Sequence, residues 1–208
     1  MSSLSTSAAM KLGKLKILIL AVVCSTSAPL FADEPLPVRN CTWCHGTSGQ
    51  GYTVAPRLAG QRYQYLENQL LSFHNHTRDN PLSVQYMWDA VAFLNPQTAR
   101  DLAFYFSAIP PKPANDGNLE LAAVGRAIYE AGMPDQNIVS CAACHGPNAE
   151  GVGAIPRLGG LSYLYLKRKL KQWGEGYHMT AQFPMPQVSV KLSPDTIEAL
   201  ASYLSFVR

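Results

Sequence analysis

Cys41-Thr42-Trp43-Cys44-His45-Gly46 is repeated one hundred positions later as Cys141-Ala142-Ala143-Cys144-His145-Gly146. Each run is C-x-x-C-H, the attachment signature of c-type haem. Two thiols one short turn apart add to the two vinyl groups of a porphyrin, and the histidine that follows is placed under the iron as its proximal ligand. A zinc ribbon also pairs C-x-x-C runs, but at a separation of roughly 15–20 residues, and Cys44 and Cys141 lie far beyond that. A thioredoxin-like pair would need a βαβ setting. A disulfide within either pair would leave the repeated His-Gly without a purpose. Two covalently bound haem c groups are therefore expected, one on Cys41 and Cys44 and one on Cys141 and Cys144, with His45 and His145 as axial ligands.

The repeat runs well past these sites. At the same offset, Gly51 matches Gly151, Pro56-Arg57-Leu58 matches Pro156-Arg157-Leu158, Gly60 matches Gly160, Tyr63 matches Tyr163 and Tyr65-Leu66 matches Tyr165-Leu166. After a two-residue deletion Met87 falls on Met185, Leu94 on Leu192, Pro96 on Pro194 and Tyr105 on Tyr203. The chain is two copies of one module. Between them Pro110-Pro111-Lys112-Pro113-Ala114-Asn115-Asp116-Gly117 reads as a proline-rich, polar linker. Tyr163, Leu166, Leu170 and Trp173 recur at helical spacing. Asn95 before Pro96 and Ser193 before Pro194 each supply an N-cap with proline at the first helical position. No alternating strand pattern is present, so the fold class is all-α.

The repeat also selects the sixth iron ligands. Met87 is the single methionine after the first haem run, and its counterpart in the second module is Met185 rather than Met179. Thioether sulfur raises the potential of a haem iron, as suits an electron carrier; core packing is the alternative use of a methionine and fits Met179 better. His74, His76 and His178 are rivals expected to face solvent or cap a helix. Around the irons, Pro56 and Pro156 are placed to offer carbonyls to the proximal histidines, and Arg57 and Arg157 to pair with haem propionates, with an exposed loop charge as their alternative.

Residues 1–32 read as an export leader. Lys11, Lys14 and Lys16 precede the short apolar stretch Ile17 to Val23, and cleavage is expected at Ala32. The stretch falls short of the roughly 20 apolar residues of a membrane span; an uncleaved leader acting as a membrane anchor is the alternative. Of 17 basic residues the leader holds these three and it holds no acid, so the mature chain is balanced against its 14 acidic residues. Nothing in that balance suggests nucleic-acid binding. Lys167, Arg168, Lys169 and Lys171 read as a solvated helix face, with a docking patch for an acidic partner as the sharper alternative. Haem attachment and export together place the protein in a periplasm.

The two CxxCHG runs, Pro-Arg-Leu-Ala-Gly at 56–60, Pro-Arg-Leu-Gly-Gly at 156–160 and the Met-to-Leu segments 87–94 and 185–192 together resemble the cytochrome c4 family of dihaem electron carriers. Gly125-Arg126-Ala127-Ile128-Tyr129-Glu130 resembles that family's helix in front of a haem run. The resemblance implies two tandem class I cytochrome c domains related by a pseudo-twofold, at 33–109 and 118–208 about the linker 110–117. It implies His/Met ligation at both irons and single-electron transfer from a membrane-bound respiratory donor to a terminal oxidase, without substrate chemistry. A cytochrome subunit of a periplasmic dehydrogenase or oxidase complex is the alternative. A dihaem thiosulfate dehydrogenase would need a cysteine ligand, and every cysteine after the leader belongs to a haem run.

One departure stands out. The second module has room for an N-terminal helix near 119–131, whereas the first begins about eight residues before Cys41 and includes Pro35 and Pro37. The apolar face of helix 96–109, with Leu102, Tyr105 and Phe106, is therefore expected to lack its usual cover and to be buried by the other domain, the N-terminal segment or a partner.

Overall fold

Proline at the start of α4 (Pro96–Ala108) and of α9 (Pro194–Phe206) sets the last helix of each module. Asn95 Oδ1 accepts from the Thr98 amide at 2.8 Å, and Ser193 Oγ accepts from the Thr196 amide at 3.2 Å. Each cap satisfies an amide the helix cannot and is worth about 1 kcal/mol. The computed structural model describes residues 36–179 and 184–208. The expected leader 1–32 lies outside them, as does Pro35. Besides α4 and α9, the helices are α1 (Leu36–His45), α2 (Tyr63–His74), α3 (Trp88–Val91), α5 (Leu119–Ala131), α6 (Ala142–His145), α7 (Tyr163–Gly174) and α8 (Met185–Ser189), with a π-helical turn at Ser83–Met87. Among the described residues there is no strand, only isolated bridges at Met133–Ile138 and Val152–Ile155.

In the second module α5 crosses α9 in close backbone contact. A β-carbon on Gly125 would overlap the carbonyl of Ala199, so only glycine lets the two backbones meet. Tyr129 and Leu204 are buried in the core beneath, with Leu161, Leu166 and Leu200. Gly125→Ala should cost about 1–3 kcal/mol by overpacking, towards the upper end because backbone, not a side chain, must give way. An unchanged denaturation midpoint would show that the crossing is looser than this.

The first module solves the same problem differently. Pro37 lies in the first turn of α1, where its missing N–H costs nothing, and the haem run forms the end of this ten-residue helix. Val38 thereby reaches the face of α4 and is buried with Leu66, Leu102, Ala103 and Phe106. Of the three covers expected for this face, the N-terminal segment is the one found at its centre, through Val38. Among the described residues nothing ahead of Cys41 matches α5.

The linker is held along its length. Gln50 brackets it through Pro110 O (3.0 Å) and the Lys112 amide (2.9 Å). The Asn115 amide donates to Ser205 O at 3.1 Å. Asp116 accepts from Ser162 Oγ and from the Tyr163 amide, both at 2.8 Å, and so caps α7 from outside the helix. Residues 34–208 form one compact unit, and the modules meet through buried polar groups. Tyr65 and Tyr165, equivalent positions of the repeat, face each other and interact electrostatically. Equivalent residues meeting is what a two-fold relation between the copies produces. Gln61 binds the backbone of Arg157 twice, donating to its carbonyl at 2.9 Å and accepting from its amide at 2.7 Å.

Candidate haem centres

His45 ends α1 and His145 ends α6, and both are buried. After each, a loop turns back on itself: the Gly51 amide donates to His45 O at 2.8 Å and the Gly151 amide to His145 O at 2.7 Å. Gly51 has φ +80°, and a β-carbon there would sit 2.5 Å from the Arg57 amide nitrogen. Glycine is needed for both the dihedral and the approach. The fold-back delivers the next proline to the imidazole, so that His45 Nδ1 lies 2.7 Å from Pro56 O and His145 Nδ1 lies 2.9 Å from Pro156 O. A carbonyl only accepts, so Nδ1 carries the hydrogen and Nε2 presents its lone pair, the form that binds a metal. Burial pushes both histidines below their ordinary pKa against the opposing pull of the carbonyl, and at His45 the charge of Arg78 adds to the lowering. The rings therefore stay neutral.

Each site sets one half-buried and one exposed cysteine beside its histidine, Cys41 and Cys44 in the first and Cys141 and Cys144 in the second. Burial holds the Cys41 thiol up at about 11, so it is a neutral thiol rather than a thiolate. In the second module a cavity of about 470 Å³ is lined by Cys141, Cys144, His145 and Met185 within walls of leucine, isoleucine and valine. Paired thiols, an imidazole with a free lone pair, a thioether and a mainly apolar cleft of this size fit a haem. Met179, the rival of Met185, is 49% exposed and outside that lining.

In the first module Met87 closes the π-helical turn, a distortion found mostly at functional positions. The residues around it are fixed. Ser83 Oγ donates to Asn80 Oδ1 at 2.7 Å, Trp88 Nε1 donates to Arg78 O at 3.0 Å, and Trp88 stacks on His76 with ring centroids 4.1 Å apart. His74 Nδ1 lies 3.2 Å from Val91 O at the end of α2.

Three expectations need correction. Arg57 is not an exposed loop charge: Nη1 donates to Lys112 O and Gly160 O, both at 2.7 Å, and Nη2 donates to Gly159 O at 2.6 Å. It clamps the linker and the second module, and its Nε is buried without a partner among the described residues. Arg157 is half-buried, with Nε 3.3 Å from Gly159 O. The basic run on α7 is not a solvated face either. Lys167 pairs with Glu198 at 2.6 Å, Arg168 donates to Val54 O across the modules at 2.9 Å, and Lys169 is buried; Lys171 alone fits the expectation. His178, expected at the surface, is buried with Nδ1 2.8 Å from Lys169 Nζ, and burial lowers Lys169 to about 6.

Sequence reasoning also passed over Arg78, Tyr65 and Tyr165, which meet between the modules. The tyrosines are visible as a matched pair in the repeat. Arg78 falls where the two copies differ in length, so no register pointed to it.

The profile of the cytochrome c family matches residues 30–109 and 122–207. Cytochrome c-552 of Acidithiobacillus ferridurans is 33% identical over 180 residues, 84% of this chain and 77% of that protein. The thiosulfate dehydrogenase electron acceptor of Thiomonas intermedia is 33% identical over 181 residues, 84% of this chain and 82% of that protein. Among solved structures, cytochrome c4 of Acidithiobacillus ferrooxidans superimposes with a TM-score of 0.75 at 32% identity, over 80% of this chain and 98% of that one.

Proposed function

The chain belongs to the cytochrome c family as two tandem domains, and on that premise we propose that it passes single electrons, outside the cytoplasm, from a membrane-bound respiratory donor to a terminal oxidase. It is a cytochrome c4-like electron carrier with two covalently bound haem c groups. In this reading His45 and Met87 ligate one iron, His145 and Met185 the other, and the domains span 33–109 and 118–208. The observation that carries it is the paired histidine geometry, with Nδ1 held by a proline carbonyl at 2.7 and 2.9 Å.

Bound haem supplies a one-electron iron couple; the protein supplies the rest. The carbonyls of Pro56 and Pro156 orient the imidazoles, and the fixed π-turn at Met87 and the prolines about Met185 limit the movement of the sulfurs. Little reorganisation on changing oxidation state is what fast electron transfer asks of a protein. Reductive titration of the holoprotein should consume two electrons per chain, and membranes bearing a terminal oxidase should reoxidise it in air. A protein that stays reduced beside an active oxidase overturns the assigned acceptor.

The likeness to a thiosulfate dehydrogenase electron acceptor favours a second reading, in which the donor is a periplasmic dehydrogenase. Rapid reduction by such an enzyme, and none by a quinol-oxidising membrane complex, would select it.

A further inference from the structure

Arg78 follows α2 and is 6% exposed. Among the described residues its hydrogen-bond partners are neutral. Nη1 donates to Gln69 Oε1 at 2.6 Å, Nε lies 3.4 Å from Asn80 Oδ1, Nη2 lies 3.4 Å from Tyr165 OH, and the guanidinium sits 4.6 Å from the centroid of the Phe73 ring. Asp79, the neighbouring acid, is exposed and accepts instead from the His178 amide at 2.6 Å. A buried guanidinium brings its charge into the interface at a desolvation cost that neutral hydrogen-bond partners offset only in part.

The position of that charge is what distinguishes it. Through its backbone, Arg78 holds Trp88, the residue after Met87. Its guanidinium reaches the second module at Tyr165 OH, 3.4 Å from Nη2. Gln69, Tyr65, Lys169 and His178 all line the second cavity. One cation thus stands between the two haem sites, inside a low-dielectric interface where its field is weakly screened.

We propose that Arg78 is a shared tuning residue, a single buried guanidinium from the first module that raises the reduction potential of both haems. The proposal rests on the two-haem carrier reading. Ferric haem carries one more positive charge than ferrous haem, so a fixed cation nearby disfavours the oxidised state at each iron. Charge near the site and burial are recognised determinants of haem potential.

Spectroelectrochemical titration of the holoprotein tests it. Arg78→Gln should lower both midpoints, each by about tenfold in the reduction equilibrium, ~59 mV for one electron. Arg78→Lys, which keeps the charge and loses the fork, should leave both close to the parent values. Gln69→Glu sets a carboxylate against Nη1 in the same shape and should lower both midpoints; it decides the matter even where Arg78→Gln fails to fold. A drop confined to one haem, or no drop in either charge-altering variant, overturns the proposal. Failure of the carrier reading is a separate result: the parent protein would then show fewer than two one-electron steps.

Discussion

Met87→His and Met185→His should each remove about half of the weak long-wavelength charge-transfer band of the oxidised protein, and each should lower one midpoint while largely sparing the other. That band belongs to the bond between methionine sulfur and ferric iron. Imidazole in place of the thioether favours the ferric state, so the potential falls. The duplication makes the two experiments mutually controlling. If Met185 is the second ligand, Met179→His leaves the band whole, as expected of a side chain that is 49% exposed and outside the cavity lining. A band that survives intact in Met185→His would place the second sulfur elsewhere. A band that disappears completely in either single variant would mean that the two irons do not share one ligation scheme. The position of Met87 at the end of a π-turn, between the pinned Ser83 and Trp88, adds a further expectation. The first site should tolerate replacement with less spectral broadening than the second, whose ligand opens a five-residue helix.

What was legible in the sequence was whatever recurs inside one module. The caps at Asn95 and Ser193 and the close crossing at Gly125 follow from local pattern, and the proline carbonyls opposite the histidines from a register of one hundred. What was not legible depends on the other copy. Lys169 looks like any lysine on a basic helix, yet it is buried beside His178 on a wall that the first module's Tyr65 and Gln69 share. Arg57 looks like a loop arginine, yet its fork closes on carbonyls about a hundred residues away. Helical periodicity says which side chains share a face but not what arrives on that face. The helix at the start of the first module was hidden for a different reason. A proline near a haem run suggested extended chain, whereas the first turn of a helix accepts proline freely, and one extra turn sufficed to cover α4.

The interface also sets how far damage at one site should spread. In Cys141→Ala combined with Cys144→Ala, covalent haem should fall to about half. The second module, left with a cavity of about 470 Å³ lined by apolar side chains, should lose its cooperative fold. Without haem the apolar part of that wall loses its packing partner, and the stability of a domain is only about 5–15 kcal/mol in total. The core residues Tyr129, Leu166, Leu200 and Leu204 belong to the cluster beside that space, so neither α5 nor α9 has an alternative surface to bury. The first module should then suffer as well, because α2 supplies Tyr65 and Gln69 to the wall of that cavity and Arg57 bonds to Gly159 and Gly160. The expected observation is a single broad unfolding transition at reduced temperature, with a lowered helical signal and a displaced potential at the remaining haem. Two separate transitions, with the first haem keeping its parent potential, would show that the modules fold and titrate independently and that the buried polar contacts between them carry little coupling.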